Sequence, residues 1–231
     1  GIDRSTTDRS RRVFLWKALS PFADILSVRD FGSLEVLQSM GIDRAEVFPD
    51  PVFGTDPDGS LSRANLPREI SEMPEGAPLV AIMPGMPPLL IPSKVSKYTD
   101  LIARVADELV ETMGARVLLV PFHVLPGHDR ELCLEILARM KNRAHSVVLM
   151  DRYHPRQIIS ALRKVDFALC ARLHSVIFSL ITCVPFVSIV YMDKVREVLR
   201  LANLEELGLN AHELDFDKLV SKIQSVWLNS I

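Results

Sequence analysis

DFALCARLHSVIFSLITCVPFVSIVYMDK, residues 166 to 194, is the stretch whose reading decides the fold. It opens on a short apolar run (167–170) that reads as a buried strand. Arg172, Leu173 and His174 form a polar break. An apolar helix is expected over 176–182, and a second strand over 186–191. An arginine and a histidine lodged between two water-avoiding elements need a reason. In open α/β sheets, ligands sit at the carboxyl end of a strand against the start of the next helix, where both residues fall.

The rest of the chain carries the same rhythm. Residues 79–83 read as a buried strand ended by Pro84 and Gly85. Ser93 or Ser96 can open a helix in which Tyr98, Leu101, Ile102, Val105 and Leu109 follow helical spacing, and Gly114 closes it. A strand at 117–122, a helix capped by Asp129, a strand at 146–150 and a helix opened by His154 and Pro155 follow. A last helix over 214–228 is expected to pack back on the first unit. Strands apolar on both faces, alternating with helices, argue for a parallel sheet covered on both sides.

Residues 1–54 read as a helix–strand–helix–strand fragment, with strands at 25–28 and 46–48, Ser33 as a helix cap and Gly41 as a stop. Its apolar surface is too small for an independent domain, so it is expected to be the latter part of a second α/β domain whose front lies before Gly1. Residues 55–78, rich in Asp, Pro, Gly, Ser and Glu, read as a linker. Residues 79–231 form the Rossmann-like domain.

Composition narrows the function classes. Apolar residues make up 48% of the 231, ample for a packed core. The 27 basic and 29 acidic residues leave a formal charge of −2, and no long basic stripe exists, which argues against nucleic acid as a partner. Cys133, Cys170 and Cys183 are widely spaced among apolar neighbours and read as reduced core thiols of a cytoplasmic protein. The long apolar run 173–191 contains Pro185, Ser and Thr, and fits a buried helix and strand better than a membrane span. No P-loop, glycine-rich dinucleotide fingerprint, Gly-x-Ser-x-Gly or metal-spaced Cys/His pair occurs.

Each candidate site residue has two readings. Arg172 can fork onto a carboxylate or phosphate beside the N-terminus of the following helix, with Ser175 in its first turn; equally, it can be a structural arginine. His174 can move a proton near neutral pH or be a hydrogen-bonded buried histidine. Lys194 is either a second positive charge at the same sheet edge or a solvated helix-start lysine. His123, in the loop before His128 and Asp129, is a substrate contact or ordinary loop polarity, with too few ligands nearby for a metal. Arg29 pairs with an aspartate beside a helix cap or points into a cleft shared with the second domain.

Two blocks carry a family resemblance. The first is Ser27-Val28-Arg29-Asp30 with Ser33, Leu37, Gly41 and Asp50-Pro51-Val52-Phe53. The second is Arg172-Leu173-His174-Ser175 with Phe178-Ser179, Val184-Pro185, Tyr191 and Lys194. In this order and separation they resemble the polysaccharide pyruvyl transferase family. The resemblance implies a GT-B-type fold of two Rossmann-like halves, of which residues 79–231 are the C-terminal, donor-binding one. It implies transfer of the pyruvyl group of phosphoenolpyruvate to two hydroxyls of a sugar, forming a pyruvate ketal in a cell-surface polysaccharide. Arg172, Leu173 and His174 would bind the donor, with Arg172 and His174 as the catalytic pair. Phosphoenolpyruvate is then a substrate, with no separate cofactor and no metal. The acceptor is a sugar or lipid-linked glycan, reached by peripheral membrane association. The family pattern also places an arginine after the first strand of the second half, where this chain has Ile82-Met83-Pro84-Gly85. A nucleotide-sugar glycosyltransferase of the same architecture and a non-catalytic carbohydrate-binding remnant are the alternatives.

Overall fold

Apolar runs with no polar face can only be buried on both sides, and the strands that contain them form the centre of a sheet. A computed structural model describes residues 9–55, 66–74, 76–85, 92–123 and 128–229. By its contacts the chain divides into two units, Gly1–Gly54 and Thr55–Ile231.

In the larger unit, β3 (Leu79–Met83), β4 (Arg116–Leu119), β5 (Ser146–Val148), β6 (Phe167–Cys170), β7 (Phe186–Val190) and β8 (Gly208–Asn210) form one parallel sheet in the order β5-β4-β3-β6-β7-β8. The central pair is β3 and β6, in register from Val80 opposite Phe167 to Met83 opposite Cys170. This is the doubly wound order, in which the chain winds outward one way from β3 and then crosses back to start β6 on its other side. The crossing leaves a crevice at the carboxyl ends of β3 and β6.

Alternation within the strands sorts the helices. Val80, Ile82, Val117, Leu119, Phe167, Leu169, Val187 and Ile189 share one core with α4 (Pro92–Met113), α5 (Asp129–Arg139) and α9 (Phe216–Leu228). Helix α6 (Pro155–Leu162) lies beside α7 (Leu173–Thr182), which packs on β6 and β7; α8 (Asp193–Leu201) packs on α7 and β7. Along α4, Ile102, Val105 and Leu109 recur at helical spacing and are buried. Each buried side chain of this kind contributes about 1.5–3 kcal/mol. Gly114 ends α4 at φ 61°, a left-handed conformation that glycine adopts without cost. Helix α9 packs on α4 and β7 of its own unit, where Leu219 and Ile223 complete the core.

Three further local expectations change. Helix α7 starts at Leu173, not at 176: Leu173 is apolar enough to be buried, and the Ser175 hydroxyl ties the turn to Arg172. The third strand-to-helix cap is His128, with Asp129 already inside α5. Cys183 is exposed and not a core thiol, because it is the left-handed C-cap of α7 (φ 54°) that turns the chain toward β7. Cys133 and Cys170 are buried.

Within 55–78, the residues 66–74 carry α3 (Arg68–Ser71), and buried Ile70 anchors it. Glu69 accepts from the Met150 N–H (2.8 Å) and the Tyr153 hydroxyl. Burial pushes the Glu69 carboxyl up, but these two donors, with its own backbone N–H and the Arg68 charge, outweigh it and leave it below its ordinary value.

The smaller unit has α1 (Arg9–Leu19), β1 (Ser27–Val28), α2 (Phe31–Ser39) and β2 (Glu46–Val47), with β1 and β2 parallel. Asp30, not Ser33, caps α2: its carboxylate accepts from the Ser33 N–H at 2.6 Å. Leu37, Ile42 and Ala45 make a small core, while Phe14, Leu15, Trp16, Leu19, Phe22 and Ile25 stand exposed. A two-stranded sheet has too little surface to cover them. No described helix is long and apolar enough to cross a membrane.

Candidate functional site

The carboxyl ends of the sheet gather residues that are far apart in sequence. Arg172 follows β6 by two residues and is the extended N-cap of α7. The Ser175 hydroxyl accepts from the Arg172 N–H (3.1 Å) and donates to the Arg172 carbonyl (2.6 Å). Fully buried Ser175 is therefore committed to holding the turn. Buried Leu173 pins the helix start to the core. His174, between them, faces outward and exposed, its ring 6.5 Å edge-on from Phe178.

The Arg172 guanidinium is engaged by Asp129. Nε donates to Oδ2 at 3.0 Å and Nη2 donates to Oδ1, a two-pronged ion pair between the start of α5 and the start of α7. The Asp129 side chain has no solvent exposure, and that of Arg172 has 22%. The His123 backbone N–H donates to the same Oδ2 at 3.0 Å. His123 and Arg172 thus meet on one carboxylate, although His123 does so through its main chain. Its ring lies 3.8 Å from that of His128.

Tyr191, one residue past β7, and Gly85, two past β3, close this cluster. A Cβ on Gly85 would fall 2.8 Å from the Tyr191 hydroxyl and 3.0 Å from Cδ and Nε of Arg172. Only glycine lets the β3 end approach so closely. The hydroxyls of Tyr191 and Tyr98 are enclosed, and neither makes a well-formed hydrogen bond among the described residues. Burial pushes the Tyr191 phenol up, against the downward pull of the Arg172 charge. Burial, then Tyr191, pushes Tyr98 up. Both stay protonated at neutral pH and can donate. For Arg172, burial opposes the charged form, but Asp129 outweighs it and the guanidinium is held above its ordinary value.

Lys194 is exposed in the first turn of α8, after the end of β7. Arg29, in the smaller unit, pairs with Asp50 through Nη1 and Oδ2 at 2.7 Å, and Asp50 also accepts from the Val52 N–H at 3.2 Å. Sequence reasoning saw Arg172, His174 and Ser175 together because they are neighbours. It missed Asp129, Tyr98 and Gly85, and it left Tyr191 without a role. An acid at a helix start reads as a cap, and nothing local shows that it reaches Arg172. Among the described residues, no group of three or more His, Cys, Asp or Glu side chains is placed to hold a metal. A cavity of about 610 Å³ opens at the other, amino-terminal end of β7, lined by Leu180, Phe186, Leu204 and Lys222.

Solved structures share the architecture. A putative UDP-N-acetylglucosamine 2-epimerase from Listeria monocytogenes superposes with TM-score 0.60 at 15% identity, over 90% of this chain and 53% of that one. A glycosyltransferase from Rickettsia africae ESF-5 gives TM-score 0.57 at 10% identity, over 95% and 57%. A UDP-forming α,α-trehalose-phosphate synthase from Burkholderia vietnamiensis gives 0.56 at 12%, over 96% and 58%. At these identities the likeness shows the fold alone, which is of the GT-B type. The chain spans a little over half the length of these structures. No curated protein matches it in sequence. The family model of the polysaccharide pyruvyl transferases matches residues 1–193, which include the first motif block, the second as far as Tyr191 and the Arg172–Asp129 pair, and the chain belongs to that family.

Proposed function

We propose that the chain supplies the donor-binding half, residues 79–231, and part of the second half, residues 1–54, of a phosphoenolpyruvate-dependent pyruvyl transferase. The observation that carries this reading is the Arg172 fork fixed at the crevice between β3 and β6, next to His174 on the first turn of α7. Arg172 and the N-terminus of α7 hold the donor anion, and exposed His174 is open to substrate. One sugar hydroxyl adds to C2 of the enol phosphate while C3 takes up a proton. A second hydroxyl of the same sugar then forms the other C–O bond at C2 as the C2–O bond to phosphate breaks. The proton that hydroxyl loses leaves with the phosphate or to solvent, and the products are the cyclic ketal and inorganic phosphate. His174 either delivers the proton to C3 or assists the departing phosphate. Lys194 adds positive charge at the same edge, and His123 is a further substrate contact. The acceptor is a sugar or a lipid-linked glycan met from the cytoplasmic side, with peripheral membrane contact through the acceptor. No cofactor beyond the donor itself takes part.

The test follows phosphate release from phosphoenolpyruvate with a panel of glycan acceptors. His174→Ala should abolish acceptor-dependent release while circular dichroism stays unchanged; full turnover in that variant would end the assignment. Thermal stabilisation by uridine diphosphate with none from phosphoenolpyruvate would replace this reading with a nucleotide-sugar glycosyltransferase. No stabilisation by any phosphorylated small molecule would point to a carbohydrate-binding protein without catalysis.

A further inference from the structure

Arg172 offers five N–H groups in a rigid fork, and Asp129 takes one on Nε and one on Nη2. The groups that remain are those on Nη1 and the second on Nη2. Near the guanidinium stands the Tyr191 hydroxyl, enclosed and with no well-formed hydrogen bond among the described residues, although an unmet buried hydroxyl costs about 1–3 kcal/mol. A buried hydroxyl left without a well-formed hydrogen bond next to a charged fork is an arrangement waiting for an acceptor. The phenol is protonated at neutral pH and can donate, and burial shifts it further in that direction. Gly85 is what allows the two to meet, since any side chain there would strike both.

We propose that Arg172 and Tyr191 form a clamp for an anionic oxygen pair of the donor, and that Asp129 is the positioning residue that sets the clamp's geometry. Asp129 grips the inner edge of the guanidinium and is itself fixed by the His123 N–H, so the fork cannot rotate. The Tyr191 hydroxyl meets the anion from β7 while Arg172 meets it from β6. Asp129 does not touch the substrate. It also cancels the formal charge of Arg172, so the clamp is close to neutral and its selectivity comes from directed hydrogen bonds more than from bulk charge. A carboxylate, planar and singly charged, suits such a clamp.

This rests on the phosphoenolpyruvate reading above, and calorimetric titration of phosphoenolpyruvate separates the two. Absence of binding by the unaltered chain overturns both. With binding present, Tyr191→Phe should weaken it by about tenfold or more. Its melting temperature should stay the same or rise, because the lost hydroxyl makes no well-formed hydrogen bond in the free protein. Asp129→Asn should weaken binding similarly and should add nothing further in an Arg172→Lys background. Unchanged affinity in either variant overturns the role given to that residue. Should Asp129→Asn not fold, ¹⁵N-arginine spectra of the unaltered chain decide. The Arg172 Nε–H signal should be protected and keep its position on phosphoenolpyruvate addition while the Nη signals move. A shift of Nε–H to an exposed position would show that the donor displaces Asp129, and would overturn its positioning role.

Discussion

Two arginines stand at the ends of strands in this molecule, each paired with an aspartate from elsewhere in its own unit, and they are not alike. Arg29, after β1, makes one contact to Asp50, and its side chain is 25% exposed. Arg172, after β6, makes two to Asp129, whose side chain is wholly enclosed. The first pair sits on a two-stranded sheet with a three-residue buried core; the second sits on a six-stranded sheet covered on both faces. Burial decides what each pair is worth. A single contact in which both side chains keep some water loses less when broken, whereas a carboxylate shut away from solvent cannot tolerate the loss of its partner. The same two-residue chemistry is a tether in one place and a rigid fixture in the other.

The largest consequence falls on Asp129. Replacing it with Ala leaves Arg172 without its partner in a half-dry site and should cost about 3–5 kcal/mol in chemical denaturation. A cost under 1 kcal/mol would place this pair in the same class as Arg29–Asp50. Gly85→Ala should cost about 1–3 kcal/mol, because the new methyl meets Tyr191 and Arg172 at 2.8 and 3.0 Å. Its crystal structure should show the Arg172 fork displaced from Asp129. Arg29→Ala should cost about 1 kcal/mol or less, and a greater loss would break the comparison from the other side.

The smallest effect belongs to Glu69, on the segment that ties α3 to the larger unit. Its carboxyl lies below its ordinary value of 4.5, so its contribution is present above that pH and is lost as pH falls through the lower folded value. Tyr153 runs the other way: burial and Glu69 push its phenol to about 12, so its contribution is present below about pH 10 and fades as pH rises through the folded value. Between these limits α3 should resist limited proteolysis. As pH falls through the folded value of Glu69 it should be cut first, and Tyr153→Phe should be cut faster at neutral pH. Equal cleavage at all pH values would contradict the tether.

Strands β3, β6 and β7 were legible because a run such as Phe167 to Cys170 has no polar face to put in water. Strand β8 was not, since Gly208, Leu209 and Asn210 form a short, half-buried edge with no apolar pattern. The start of α7 was misplaced because Arg172 and His174 flank Leu173, and the sequence does not show that Leu173 points inward. At the site, the neighbours Arg172, His174 and Ser175 carried their chemistry in the open. Asp129 reached them only through the crossing of β4 and β6 around β3, which brings residues 43 positions apart into contact. Tyr98 and Gly85 matter through enclosure and close approach, properties that no single stretch displays.

The claim on which the account depends is that Arg172 holds the donor through its fork and not merely through its charge. Calorimetric titration of phosphoenolpyruvate into the unaltered chain and Arg172→Lys tests this directly, since lysine keeps the charge and loses the fork. The account predicts binding by the unaltered chain and affinity lower by at least about tenfold in the variant. Equal affinity in both would contradict it.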